Sequence, residues 1–199
     1  VKVRFGLWDD VLAEPEPAED LVFTRAIRHA ARGMAFVAQG KLAEAEAERT
    51  AVDRLDDDAS LANLHVSSVN TASKVVPIAH EILAGQIAAA RKRGDDAARH
   101  LARAVEFEDA LTYMEPPDWF LPVRQIQGAT LLQLGRAKDA ETAFRGDLRK
   151  FPLNGWSLSG LQASLERRGR SKEAAEVAAQ FDTAWNGADV RLVDGRVTP

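Results

Sequence analysis

Gly135-Arg136-Ala137-Lys138-Asp139-Ala140 and Gly169-Arg170-Ser171-Lys172-Glu173-Ala174 are one phrase written twice, 34 residues apart. Glycine, a small residue three to five places on and apolar positions to either side, at this period, sign a helix–turn–helix repeat. Everything else in the chain is arranged around residues 125–185.

Working outward, residues 122–134 and 137–150 read as one helical hairpin (118–152), with Asp118 as its cap. Residues 156–168 and 171–186 form the next (154–186), capped by Asn154. Upstream, residues 21–39 and 42–55 make a hairpin (21–58) behind Asp20 as candidate cap. Ala26, Ala30, Gly33 and Val37 fall on one face of its first helix. A further hairpin spans 72–111, with Pro77 in its first turn and Gly94-Asp95 at its bend. Between them lie two inserts, 59–71 and 112–117. The first opens on a short helix capped by Asp58 or Ser60. The front, 1–20, is a half-unit or cap with a helix over 5–14, stopped by Glu14-Pro15-Glu16-Pro17. The tail, 187–199, reads as extended or frayed. The predicted architecture is all-α: a right-handed superhelix of about four antiparallel helix hairpins plus the half-unit.

Composition narrows the function. The chain has 199 residues, 46% of them hydrophobic, which suffices for a continuous core. Charges of both signs are mixed to a net of −4, so no basic field recommends nucleic acid as a partner. There is no cysteine, which removes disulfides and thiolate metal sites. No apolar run approaches the roughly 20 residues of a membrane span, so no membrane partner is expected. No signal peptide is visible, and the compartment is unread, with cytoplasm as the default and periplasm as the alternative. The chain starts at Val1, and Val1–Trp8 reads as a start in mid-motif, as in the back part of a longer protein.

The hairpins resemble tetratricopeptide repeats. The third carries Gly128, Leu131, Gly135, Ala140, Phe144 and Pro152 in that family's register. The first carries His29, Gly33, Phe36, Gly40, Leu42 and Ala45; the second Gly85, Ala97, Leu101 and Ala104, its turn glycine displaced to Gly94. The fourth carries Leu161, Leu165, Gly169, Ala174 and Phe181. The stretches 113–119, 154–156 and 5–9 also resemble the C-terminal part of large bacterial tetratricopeptide proteins of unassigned activity. The resemblance implies a concave groove, lined by the first helix of each hairpin, that takes a peptide or helix. Its positions here are Ile27, Ala30, Met34 and Val37; Ile82, Gln86 and Ala89; Gln125, Ala129, Leu132 and Gln133; Trp156, Ser159 and Ala163. Family members that bind acidic C-terminal peptides present Lys, Asn and Arg at such places. The apolar and amide set here argues against that ligand.

Four further features carry candidate chemistry. Tyr113, Met114, Trp119 and Phe120 make an apolar insert that either plugs the groove or presents a contact patch. The plug is the favoured reading, because exposing so much apolar surface invites aggregation. Arg25, Arg28 and Arg32 share one helical side; they bind an anion or, as favoured, pair with nearby acids such as Asp20 or face water. His29, His65, His80 and His100 lack the spacing of a metal pair, so no metal and no cofactor is expected. His29 stands at an aromatic packing position and is expected to be partly buried and hydrogen-bonded. No nucleophile elbow, phosphate loop or dinucleotide fingerprint occurs. The paired carboxylates sit at turns and helix ends.

The expectation is therefore a non-catalytic protein-interaction scaffold. The alternatives are part of a larger hydrolase or metal-handling protein, its site outside this chain or made of cross-repeat His, and a homo-oligomerising module.

Overall fold

Four turns of the same construction organise the chain. In each, the second residue past the first helix has positive φ: Gly40 (74°), Lys92 (61°), Gly135 (75°) and Gly169 (71°). The next residue's N–H reaches back to the carbonyl five residues earlier: Lys41 to Phe36, Arg93 to Ala88, Arg136 to Leu131 and Arg170 to Leu165, at 2.8–2.9 Å. This double-bonded C-cap satisfies orphan carbonyls only where the chain turns left-handed, which is why glycine recurs there. At the second turn the left-handed residue is Lys92, and Gly94 is already helical. The displaced glycine expected from the sequence is thus not the turn residue. Five places after each left-handed residue stands an alanine, Ala45, Ala97, Ala140 or Ala174, none more than 4% exposed.

The computed structural model describes residues 1–197, which fall into two compact units, 1–120 and 121–197. The first contains α1 (Trp8–Leu12), α2 (Val22–Ala38), α3 (Leu42–Asp56), a 3-10 turn (Ala59–Ala62), α4 (Ala72–Ala90) and α5 (Gly94–Asp109). α2 pairs with α3 and α4 with α5, and α4 also leans on both α2 and α3. It is therefore buried nearly all round: Val75, Val76, Ile78, Ile82, Leu83 and Ile87 are at most 1% exposed.

The second unit contains α6 (Val123–Gln133), α7 (Ala137–Lys150), α8 (Gly155–Arg167), α9 (Ser171–Ala184) and two short strands. α6 pairs with α7 and α8 with α9, while α8 leans on both α6 and α7. Strands β1 (Leu192–Val193) and β2 (Arg196–Val197) pair antiparallel, and β1 packs on α8. All-helical architecture with neighbours packed in sequence order is the outcome, apart from this hairpin.

Several local expectations are revised. The first helix is only Trp8–Leu12, shorter than the 5–14 expected, because residues 1–6 are taken up in turns that place Gly6 at φ 67°. Asp20 caps nothing; α2 begins after Leu21 without a side-chain cap bond. Asp118 does not cap α6, whose N-terminus follows Pro122; its carboxylate is engaged elsewhere. Pro77 lies in the second turn of α4, where its missing N–H leaves only the Ser73 carbonyl without an amide donor. The tail is ordered as the β-hairpin up to Val197. Asp58 and Asn154 do act as caps, accepting from Ser60 N and Ser157 N.

Candidate functional site

The inner helices are held close by glycines opposite large side chains. In the first unit, a β-carbon on Gly33 would come within 2.5 Å of Leu83, and one on Gly85 within 2.7 Å of Leu101. In the second, Gly128 on α6 and Gly160 on α8 both press on the Phe144 ring from α7, and Gly195 of the tail covers it too. Phe144 is fully buried.

This packing sorts the groove positions. Met34, Ile82, Gln125 and Leu132 are 4% exposed or less. Ile27, Val37, Gln86 and Trp156 are half-buried, and Gln133 is exposed. Gln125 is occupied structurally. Its Nε2 donates to Asp147 Oδ2 at 3.1 Å, and Ser157 Oγ donates to the same oxygen at 2.5 Å. That carboxylate, 1% exposed, ties α6, α7 and α8 together. Trp156 meets Trp185 edge to face, centroids 4.8 Å apart. The wall positions that are not fully buried are accordingly Ile27, Val37 and Gln86 in the first unit and Gln133 and Trp156 in the second.

In the second unit the tail lies on this wall. Gly195 N donates to Ser159 Oγ at 3.3 Å, and Gly195 sits against the Trp156 carbonyl. Trp185 Nε1 anchors the approach by donating to Val190 O at 2.7 Å. Sequence reasoning missed this; the Asp194-Gly195 pair, a tight-turn signature between short apolar runs, could have signalled it.

The apolar insert divides. Trp119 is 5% exposed, Met114 is half-buried, and Tyr113 and Phe120 are 78% and 49% exposed. It is joined to the other insert. Asn70, fully buried, donates from Nδ2 to Thr112 O (2.7 Å) and Asp118 Oδ2 (2.6 Å) and accepts from Thr112 N at 3.0 Å. Ser67 Oγ adds a bond to Asp118 Oδ2 at 2.9 Å. Two segments that look like separate interruptions are one polar knot, and the same two inserts carry the exposed Leu64, Val69, Tyr113 and Phe120. Asn70 in a Ser/Thr-rich loop carried no visible signal, since its partners lie more than 40 residues away.

The three arginines of α2 are paired. Arg28 meets Glu16 at 2.5 Å, with Arg25 at 3.7 Å from the same carboxylate, and Arg32 meets Glu48 at 2.7 Å. Arg28 and Arg32 also donate to Glu14 O and Leu12 O. They fasten the front segment to α2, with Glu16 and Glu48 in place of Asp20.

His29 is part-buried, its Nδ1 2.6 Å from Glu48. His100 Nδ1 stands in the same relation to Glu81, and His80 lies 2.7 Å from Asp53; His65 is exposed. Among the described residues, no three His, Asp or Glu gather as metal ligands. No described helix is long and apolar enough to cross a membrane.

Glu141 on α7 collects Arg145, Arg168 and Arg170, with Arg145 and Arg170 both at 2.7 Å. Burial pushes its carboxyl up, but the hydrogen bonds and charges of the arginines prevail and hold it below the usual value. No protein-family model, no curated protein and no solved structure matches the chain.

Proposed function

We propose that the hairpins are tetratricopeptide-like units of an α-solenoid and that the chain is a non-catalytic scaffold. It binds a peptide or helix along the inner helices. One observation carries this reading: the tail hairpin seated on α8. There the wall already takes extended polypeptide, through a backbone N–H to a wall hydroxyl and close backbone approach. A wall of small and apolar side chains with an occasional polar atom is what such ligands require. The same kind of wall in the first unit, at Ile27, Val37 and Gln86, is not fully buried.

The test is selection of a displayed peptide library on the full chain. Selected peptides are then measured against an Ile27→Glu/Val37→Glu variant whose circular dichroism matches wild type. Binding should drop at least tenfold; equal binding by both proteins removes the groove from consideration.

A second reading is supported by the joined inserts, which leave Leu64, Val69, Tyr113 and Phe120 exposed. Exposed apolar groups so placed suit self-association. Light scattering over a dilution series, repeated with Tyr113→Ser/Phe120→Ser, tests it, and a monomer throughout rejects it.

A further inference from the structure

Arg196 is set on β2 by the turn before it. Gly195 has φ 77°, donates to Ser159, and lies so close to Trp156 O and Phe144 that a β-carbon would fall 3.0–3.1 Å from them. Leu192, 7% exposed, seats the other strand. The guanidinium is half-buried, and burial lowers its pKa to about 10 against the pull of Asp194. It is nevertheless charged at neutral pH. Asp194 makes its salt bridge elsewhere, with Arg167 at 2.6 Å. Arg196 has one hydrogen bond among the described residues, Nη2 to Thr130 Oγ1, and at 3.5 Å it is long. Thr130 is 1% exposed. A guanidinium has five donors in a planar fork, and a hydroxyl that accepts one bond still has its own proton to donate. Among the described residues this half-buried cation makes no salt bridge and feels Asp194 only through its charge, so it calls for a closer counter-charge.

We infer that the inner face of the second unit holds an oxyanion site, in which the Arg196 fork and the Thr130 hydroxyl take a carboxylate or phosphate group. The fork geometry suits two oxygens of one such group. The site shares the tail hairpin with the scaffold reading but rests on Arg196 and Thr130, so an oxyanion test can fail without touching peptide binding in the first unit.

The full chain is titrated with acetate and with inorganic phosphate against chloride, at constant pH and ionic strength. Thermal midpoint and the Arg196 Nε–H resonance are followed. The expected result is a saturable shift of both with at least one oxyanion. A response to acetate alone assigns a carboxylate, to phosphate alone a phosphate, and to both the shared chemistry. Arg196→Gln should abolish the shift. Arg196→Lys, which keeps the charge but loses the fork, should move saturation several-fold higher. If neither oxyanion shifts the resonance, or if Arg196→Gln responds like wild type, the site is rejected. Should Arg196→Gln lose its helical circular dichroism, Arg196→Lys decides, and an unchanged saturation point there rejects it.

Discussion

The two units bring their helices together with different large residues. In the first, the crossings are shared between Leu83, opposite Gly33, and Leu101, opposite Gly85. In the second, Phe144 alone fills the space between Gly128, Gly160 and the tail's Gly195. Glycine on one helix and bulk on the other is the common solution, since close approach needs an absent side chain and the bulk must then fill the gap. What differs is how the packing is distributed. Two leucines spread it over two pairs of helices, while in the second unit one ring takes three glycines, with Trp185 against Gly155 as a separate contact. The second unit should therefore be more sensitive to a single truncation.

The largest effect tests that directly. Phe144→Ala should cost about 3–5 kcal/mol and Leu101→Ala about 2–4 kcal/mol. Urea unfolding followed by hydrogen exchange resolved by unit would measure both. A Leu101→Ala cost equal to or above that of Phe144→Ala would break the contrast.

Next in size is the knot that gives the first unit its counterpart to the tail hairpin. Asn70→Ala should cost about 1–3 kcal/mol, because it leaves the Thr112 amide and carbonyl and the Asp118 carboxylate short of partners. Exchange at the Thr112 amide should quicken while amides of α8 are unaffected; no change at Thr112 would mean that the inserts are held independently.

Glu141 supplies a pH handle found in the second unit. Its folded carboxyl titrates below the unfolded value of 4.5. The stability it contributes is therefore complete above that value and is lost as pH falls through the lowered folded one. Glu141→Gln should cost about 1–2 kcal/mol at neutral pH and flatten the acid limb of unfolding for residues 121–197. An acid limb identical to wild type would show that the arginine cluster is not coupled to folding.

The smallest effect is a gain. Lys92 holds φ 61° where the other three turns place glycine. Lys92→Gly should stabilise the first unit by about 0.5–1 kcal/mol, read as a rise in its denaturation midpoint. A loss would mean that the lysine's own contacts outweigh the strain.

The phrase around Gly135 and Gly169 made the turns legible because a left-handed C-cap is a local demand, met within six residues of backbone. The small–large pairing was equally visible, Ala140 and Phe144 being spaced by helical geometry. The groove was readable only in outline. Val37, Gln86 and Gln133 are not fully buried, while Met34, Ile82 and Leu132 are covered, because how far a wall is buried depends on which helices lean on it. Gln125 looked like a groove amide, and it is committed to Asp147, a residue 22 positions away.

Local chemistry thus wrote the helices and their turns into the amino-acid order, since each depends on neighbours three to six residues apart. The joining of two inserts through Asn70, the return of the tail onto α8 and the meeting of Arg196 with Thr130 came from the assembled fold. Each pairs groups far apart in the chain, where one acid or hydroxyl resembles another until packing brings a single one within reach.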